Sequence, residues 1–194
     1  YKETIRQGSL AGARGGYTAV GTMPNLKPAP SDMDSLRVQQ DIIDRDAVIQ
    51  VIPYGTITKD QSGTGTLSDM EGMAKHVLAF SDDGKGVQDD GLMREAMNVA
   101  KSLNKLIVAH CEDESLLREG KVRESEWRQI ERDLKLADET GCGYHVCHIS
   151  CKESVELIRN AKADGVDVTC ETAPHYLIFN EMDLKESGNF KMNP

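Results

Sequence analysis

Leu106-Ile107-Val108-Ala109-His110 is a run of four apolar residues closed by an imidazole. A short, continuous apolar run suits a strand buried on both faces. Ahead of it, Leu92, Met93, Ala96, Met97, Ala100 and Leu103 recur at helical spacing. Behind it, Trp127, Ile130, Leu134 and Ala137 form a second helical stripe closed by Gly141. Tyr144 to Ile149 reads as the next strand, and Ser150 with Glu153 predicts a capping box for a helix over Lys152–Ala163 that Gly165 ends. Val166 to Cys170 is the last strand. Upstream, strands at Thr18–Met23 and Val48–Pro53 flank a helix over Asp34–Asp46, and a helix around Asp69–His76 leads into Val77-Leu78-Ala79-Phe80.

Strands alternating with helices predict an α/β fold with a parallel sheet. An open doubly wound sheet and a (β/α)8 TIM barrel compete. A doubly wound nucleotide binder carries a glycine-rich loop after its first strand. Gly12-Ala13-Arg14-Gly15-Gly16 has the wrong spacing and precedes a strand, and neither GxGxxG nor GxxxxGK[ST] occurs. The barrel is therefore favoured, with about six of its eight repeats present. Lys2-Glu3-Thr4-Ile5 reads as a helix already under way, and Met192-Asn193-Pro194 as a stop without a closing helix. Both predict that residues 1–194 are one partial barrel domain lacking the first strand and the C-terminal part.

At 194 residues, 39% hydrophobic and 28% charged, the chain is neither disordered nor fibrous. The net charge of −9, without a Lys/Arg run, argues against nucleic acid. No stretch approaches the roughly 18–20 apolar residues of a membrane span, so no membrane partner is expected. Five cysteines (Cys111, Cys142, Cys147, Cys151, Cys170) without CxxC spacing fit free thiols in the cytoplasm.

Three strands end in metal-ligating groups: Asp82-Asp83 after Phe80, His110 after Ala109, and His148 beside Ile149. In a barrel, groups at the C-terminal ends of different strands converge on one rim. Two imidazoles and a carboxylate suit zinc or a similar divalent ion. Strict alternation would turn His145 towards the helices and make it structural, with Cys111 and Cys147 facing away from the site as small core residues. His76 reads as solvated, and His175 as a loop residue with a hydrogen bond.

Five motifs then occur in order: Gly21-Thr22-Met23-Pro24-Asn25, Phe80-Ser81-Asp82-Asp83-Gly84, Val108-Ala109-His110-Cys111-Glu112-Asp113, Tyr144-His145-Val146-Cys147-His148-Ile149-Ser150 and Lys191-Met192-Asn193-Pro194. Together they closely resemble the class I bacterial dihydroorotases of the amidohydrolase superfamily. The resemblance implies reversible hydrolysis of the cyclic amide of (S)-dihydroorotate to N-carbamoyl-L-aspartate, in pyrimidine (UMP) biosynthesis, with two Zn2+ per active site. It implies that Asp83 bridges the two ions, that His110 and His148 hold one of them, and that Asn25 and Asn193 bind substrate. Asp82 matches a neighbour of the bridge.

The family's His-x-His pair and following Arg would precede Tyr1, and its proton-shuttle Asp would follow Pro194. No catalytic acid–base residue is thus expected within these residues, and residues 1–194 alone are expected to bind zinc weakly and not turn over. Relatives that bridge with a carboxylated lysine are disfavoured, because no Lys lies in Phe80–Gly84. Another cyclic amidohydrolase, of hydantoinase or allantoinase type, is one alternative. A catalytically silent subunit that scaffolds a partner is the other. The expected partners are the small-molecule substrate and either a second copy, as a homodimer, or aspartate transcarbamoylase.

Overall fold

A computed structural model describes residues 3–190 and 192. It opens with α1 (Ile5–Arg14), whose Thr4 N-cap and Gln7 form a reciprocal capping box. Of the helix expected over Lys2–Ile5, Lys2 lies outside the described residues and α1 begins at Ile5, because the Thr4 side chain accepts from Gln7 N and closes the first turn. Then follow β1 (Ala19–Thr22), α2 (Met33–Asp46), β2 (Gln50–Pro53), α3 (Met70–Met73), α4 (Asp90–Ser102) and β3 (Ile107–Ala109). The remainder is α5 (Glu114–Arg118), α6 (Val122–Thr140), β4 (Tyr144–Val146), α7 (Lys152–Ala163), β5 (Val168–Cys170) and α8 (Pro174–Ile178). Gly141, at φ +66°, supplies the left-handed residue that ends α6.

Strand order separates the two architectures. β1 pairs in parallel with β2, and β3 with β4 and β4 with β5, also in parallel. Phe80 joins the two groups, bridging Gly55 on one side and Ile107 on the other. Gly55 N donates to Ala79 O (3.1 Å), Ser81 N to Gly55 O (2.9 Å), and Val108 N to Phe80 O (2.8 Å). Each parallel segment is thus bonded to the next in sequence, a single winding direction with no reversal. A doubly wound sheet would reverse its order at a switch point.

The expected strand at Val77–Phe80 narrows to this one bridging residue. Beyond it the chain is diverted by Asp82, whose buried carboxylate accepts from Ile57 N (2.8 Å) and Thr58 N (3.2 Å). The helix expected around Asp69–His76 shrinks to the single turn of α3, with Gly72, a poor helix former, in its middle.

The strands divide the apolar residues between two faces. Outward, Ile107, Ala109, Tyr144, Val146 and Val168 pack with Leu36, Met73, Met93, Met97, Ile130 and Ile158 from the helices. Inward, Ala79, Val108 and Cys147 form a smaller cluster with Met23 and Tyr54. Each fully buried large side chain contributes roughly 1.5–3 kcal/mol, so the helix-covered face holds the fold together and the inner face is left for polar groups. No helix among the described residues is long and apolar enough to cross a membrane.

The expected capping box at Ser150 and Glu153 is not formed. Cys151 is the N-cap of α7 and offers no side-chain bond. Glu126, 2% exposed on α6, supplies the acceptor instead, taking Ser150 N and Cys151 N (3.1 and 3.2 Å) and the hydroxyls of Ser150 and Ser154. Glu153 is drawn away to Arg123 at 3.0 Å.

α2 does carry a box, between Asp32 and Ser35. The hydrogen bond from Ser35 holds the Asp32 carboxyl below its ordinary value. A group with a depressed folded pKa stabilises above its unfolded value, here 3.8, and loses that contribution as pH falls through the folded one. Asp32→Ala is therefore expected to cost about 1 kcal/mol at neutral pH. The deficit should vanish below the carboxylate range, as read from urea midpoints of the full-length protein at both pH values.

Candidate metal centre

Asp83 follows the Phe80 bridge by three residues. Its N–H donates to Ser81 Oγ (3.0 Å), and the Gln61 side-chain amide donates to its carbonyl. Asp82 beside it is an anchor rather than part of the cluster: it is 2% exposed and fully engaged by Ile57 and Thr58. Burial pushes the Asp82 pKa up, against the hydrogen bonds from Thr58 and Ile57 that pull it down.

His110 is the first residue beyond β3 and is 6% exposed. Its Nε2 lies 2.7 Å from Glu112 Oε2. Glu112 is itself buried and tied down: its N–H donates to Gln129 Oε1 (3.1 Å), and Gln88 Nε2 donates to its carbonyl (3.0 Å). With Nε2 committed to a carboxylate, Nδ1 is left facing inward, 3.2 Å from His148 Nε2 and 3.9 Å from Asp83 Oδ1.

His148 reaches the same point from beyond β4. Its φ of +36° is a left-handed conformation that non-glycine residues seldom adopt. Nε2 lies 3.5 Å from Asp83 Oδ1, and Nδ1 is buried without a hydrogen-bond partner. Burial by itself would lower the His148 pKa, but the Asp83 carboxylate outweighs it and the net shift is upward. Asn25, expected to bind substrate, is here too, its Nδ2 donating to Asp83 Oδ2 at 3.2 Å.

Asp83, His110 and His148 thus each present one ligand atom, all within 4.8 Å of one another. Two imidazole nitrogens and a carboxylate oxygen, His110 buried and Asp83 and His148 partly so, concentrate lone pairs that a divalent cation would satisfy. The set suits zinc better than magnesium or calcium, which prefer oxygen alone. Asn193 lies outside the described residues.

Two face assignments from strict alternation are corrected. His145 does not turn towards the helices; it lies on the inner face, with Nδ1 2.7 Å from Thr169 Oγ1. Cys147 is small and buried as expected, but on that same inner face. The reason is local: β4 ends at Val146, and the left-handed turn at His148 breaks the period of two, so His148 and Cys147 no longer face opposite ways by rule. Cys111 does sit among the helix-side core residues, against Tyr144 Oη. His76 is exposed, as expected. His175 lies in the first turn of α8 and not in a loop, and its side chain makes no hydrogen bond among the described residues: Nε2 is buried and unpartnered, and the ring packs on Tyr176.

Reading the sequence missed Glu112, Gln129 and Glu126. For Glu126 a signal existed: it stands four residues before Ile130 in the buried stripe of α6, where a carboxylate has to find partners.

A family model described as dihydro-orotase-like matches residues 1–131. Dihydroorotase of Fusobacterium nucleatum is 50% identical, over all of this chain and 49% of that protein. Dihydroorotase of Bacillus licheniformis is 44% identical, again over all of this chain and 49% of that protein. The chain therefore spans about half the length of these curated relatives. Among solved structures, a D-hydantoinase aligns with TM-score 0.76 at 22% identity, over 97% of this chain and 46% of that one. An L-hydantoinase (dihydropyrimidinase) of Arthrobacter aurescens aligns with TM-score 0.76 at 22% identity, over 90% and 44%. At such identity the likeness is one of fold, that of the amidohydrolase TIM barrel. With a family model over two thirds of its length and half of its residues shared with a curated relative, the chain belongs to the dihydroorotase-like family.

Proposed function

We propose that the protein is a zinc-dependent dihydroorotase. In this reading Asp83 bridges two metal ions, His110 and His148 hold one of them, and Asn25 and Asn193 grip the substrate. The observation that carries it is the meeting of Asp83 Oδ1, His110 Nδ1 and His148 Nε2 from the ends of three successive parallel segments. The parallel row of the described residues would form about six of the eight repeats of a (β/α)8 barrel. A His-x-His pair does not occur in residues 1–194, so the other ligands of such a centre would come from elsewhere in a protein about twice this length.

When bound, zinc lowers the pKa of its water to about 7 and polarises a carbonyl, which is what opening an unactivated cyclic amide requires. The chain's own residues do the positioning. Asp83 contributes the negative charge that lets two dications sit close together. Asn25, already hydrogen-bonded to Asp83, offers an amide donor and acceptor at the rim of the cluster, matched to a ring of alternating N–H and C=O groups. Glu112, by accepting from His110 Nε2–H, keeps the Nδ1 lone pair aimed at the centre. Glu112→Gln in the full-length protein is expected to weaken zinc affinity by roughly 10–100-fold. Competition with a fluorescent chelator measures it, and an unchanged affinity would remove Glu112 from this role.

Hydantoin hydrolysis is the second reading, favoured by the fold of the structural neighbours. Against it stand the 44–50% identity to dihydroorotases and an aspartate where a carboxylated lysine would be needed. A panel of dihydroorotate, hydantoin and allantoin, offered to the zinc-loaded full-length protein, decides between them. Turnover of hydantoin without dihydroorotate would overturn the proposal, and turnover of none would favour a silent scaffold subunit. The free state of all five cysteines supports a cytoplasmic location. A homodimer or an assembly with aspartate transcarbamoylase is read by sedimentation of the protein alone and with that enzyme.

A further inference from the structure

One turn of α6 holds both of the loops that carry an imidazole of the metal centre. Gln129 grips the first: its Oε1 accepts from Glu112 N (3.1 Å) and its Nε2 donates to His110 O (3.3 Å). Glu126, three residues earlier, grips the second. Its carboxylate accepts from Ser150 N (3.1 Å) and Cys151 N (3.2 Å), and from the hydroxyls of Ser150 and Ser154. Residues three apart on a helix share a face, so the two side chains leave α6 side by side, and both are buried. The helix backbone adds a further tie to the first loop, Asp113 N donating to Ser125 O (3.1 Å).

What the turn fixes is a separation. His110 Nδ1 and His148 Nε2 stand 3.2 Å apart. Two nitrogens bound to one tetrahedral zinc at about 2.0–2.1 Å stand roughly 3.3 Å apart, so the imidazoles already have the spacing that a shared ion requires. On the His148 side this spacing depends on a backbone at φ +36°. Such a conformation persists only where its surroundings hold it. Ahead of it, Cys147 N donates to Ala109 O (3.0 Å); behind it, Ile149 N donates to Glu171 O (2.9 Å) and Glu126 takes the next two N–H groups.

We propose that Glu126 and Gln129 are positioning residues of the metal centre, a clamp by which one helical turn sets the distance between the His110 and His148 imidazoles. The proposal rests on the reading of Asp83, His110 and His148 as a metal centre, and not on which cyclic amide is opened there. Ligands bind an ion well only when they are held within about 0.5 Å of their final places. With either arm released, the ion itself has to draw the loops together, and part of its binding free energy goes into ordering them.

The test is the zinc affinity of the full-length protein, by chelator competition at a temperature where circular dichroism shows every variant folded. Beside it stands the visible spectrum of the cobalt-loaded form, whose bands report ligand geometry. Glu126→Asp keeps the charge but withdraws the acceptors by one methylene. It is expected to weaken zinc affinity by roughly 10–100-fold and to move the cobalt bands. Glu126→Gln keeps the reach and should return the affinity to within about threefold of the unsubstituted protein. Gln129→Met, close in shape but without either hydrogen bond, should lose affinity as Glu126→Asp does, and carries the test should Glu126→Asp fail to fold. Leu134→Ala is the control: it opens the helix-side core further along α6, and should lower the urea midpoint while leaving zinc affinity unchanged. Unchanged affinity with an unmoved cobalt spectrum in folded Glu126→Asp or Gln129→Met overturns the proposal. So does an equal loss of affinity in Leu134→Ala, which would reduce the clamp to general stability, or a Glu126→Gln as weak as Glu126→Asp, which would assign the effect to charge instead of placement. No zinc uptake by the unsubstituted protein is a different failure, because it removes the metal centre and the clamp with it.

Discussion

On the proposed dihydroorotase reading, Asp83→Ala in the full-length protein is expected to lower dihydroorotate turnover by roughly 10^3-fold or more and to release bound zinc. The magnitude follows from what the carboxylate does. Removing one group aimed at charge in a transition state typically costs about 10^2–10^3 in rate, and Asp83 would in addition hold the ions that supply most of that field. The carboxylates beside it in sequence and behind His110 are already committed. Asp82 is locked into Ile57 and Thr58, and Glu112 lies behind His110, committed to its Nε2. The fold should survive, because the backbone contacts of Asp83, to Ser81 and Gln61, do not use its side chain. Zinc per chain and turnover measured on one preparation check the expectation. Unchanged values of both would remove Asp83 from the centre.

The largest loss of stability is expected from Phe80→Ala, at about 3–5 kcal/mol by chemical denaturation of the full-length protein. Phe80 is fully buried, and its backbone bridges Gly55, just beyond β2, on one side and Ile107 of β3 on the other. Its ring also lies against Gly55, where a Cβ would come within 3.0 Å of the ring carbons. A cavity there cannot be filled from the Gly55 side without moving the backbone bridge itself. Phe80→Leu should recover most of the loss, since it leaves a much smaller void. Because Asp83 stands three residues further on, Phe80→Ala should also weaken zinc binding, while Phe80→Leu leaves it near normal. A cost below about 1 kcal/mol would mean that the row of strands is not held together at this point.

Much of the fold was legible because its determinants are local. The stripes of α4 and α6 and the span of α7 follow from apolar residues at a period of 3.6, and the β3 and β4 cores from short apolar runs. The strand-end positions of Asp83, His110 and His148 were legible for the same reason. Failures came where a long-range partner outweighed a local preference. Ser150 has a capping-box partner at the right spacing in Glu153, yet the buried Glu126 carboxylate from the neighbouring helix takes the serine, and Arg123 takes Glu153. His145 and Cys147 were assigned to faces by counting alternation through His148, and a single positive φ makes that count invalid.

By itself, the sequence determined that this is a parallel α/β chain, which residues end its strands, and, through motifs in a shared order, which family it belongs to. Only the tertiary structure decided that the strands follow one another in a single winding row, that Glu112 sets the orientation of His110, and that one turn of α6 bonds to both imidazole-bearing loops. The division has one physical cause. Periodicity and strand endings are written over a few neighbouring residues, whereas strand order, register and the pairing of buried polar groups are settled by contacts between residues tens of positions apart.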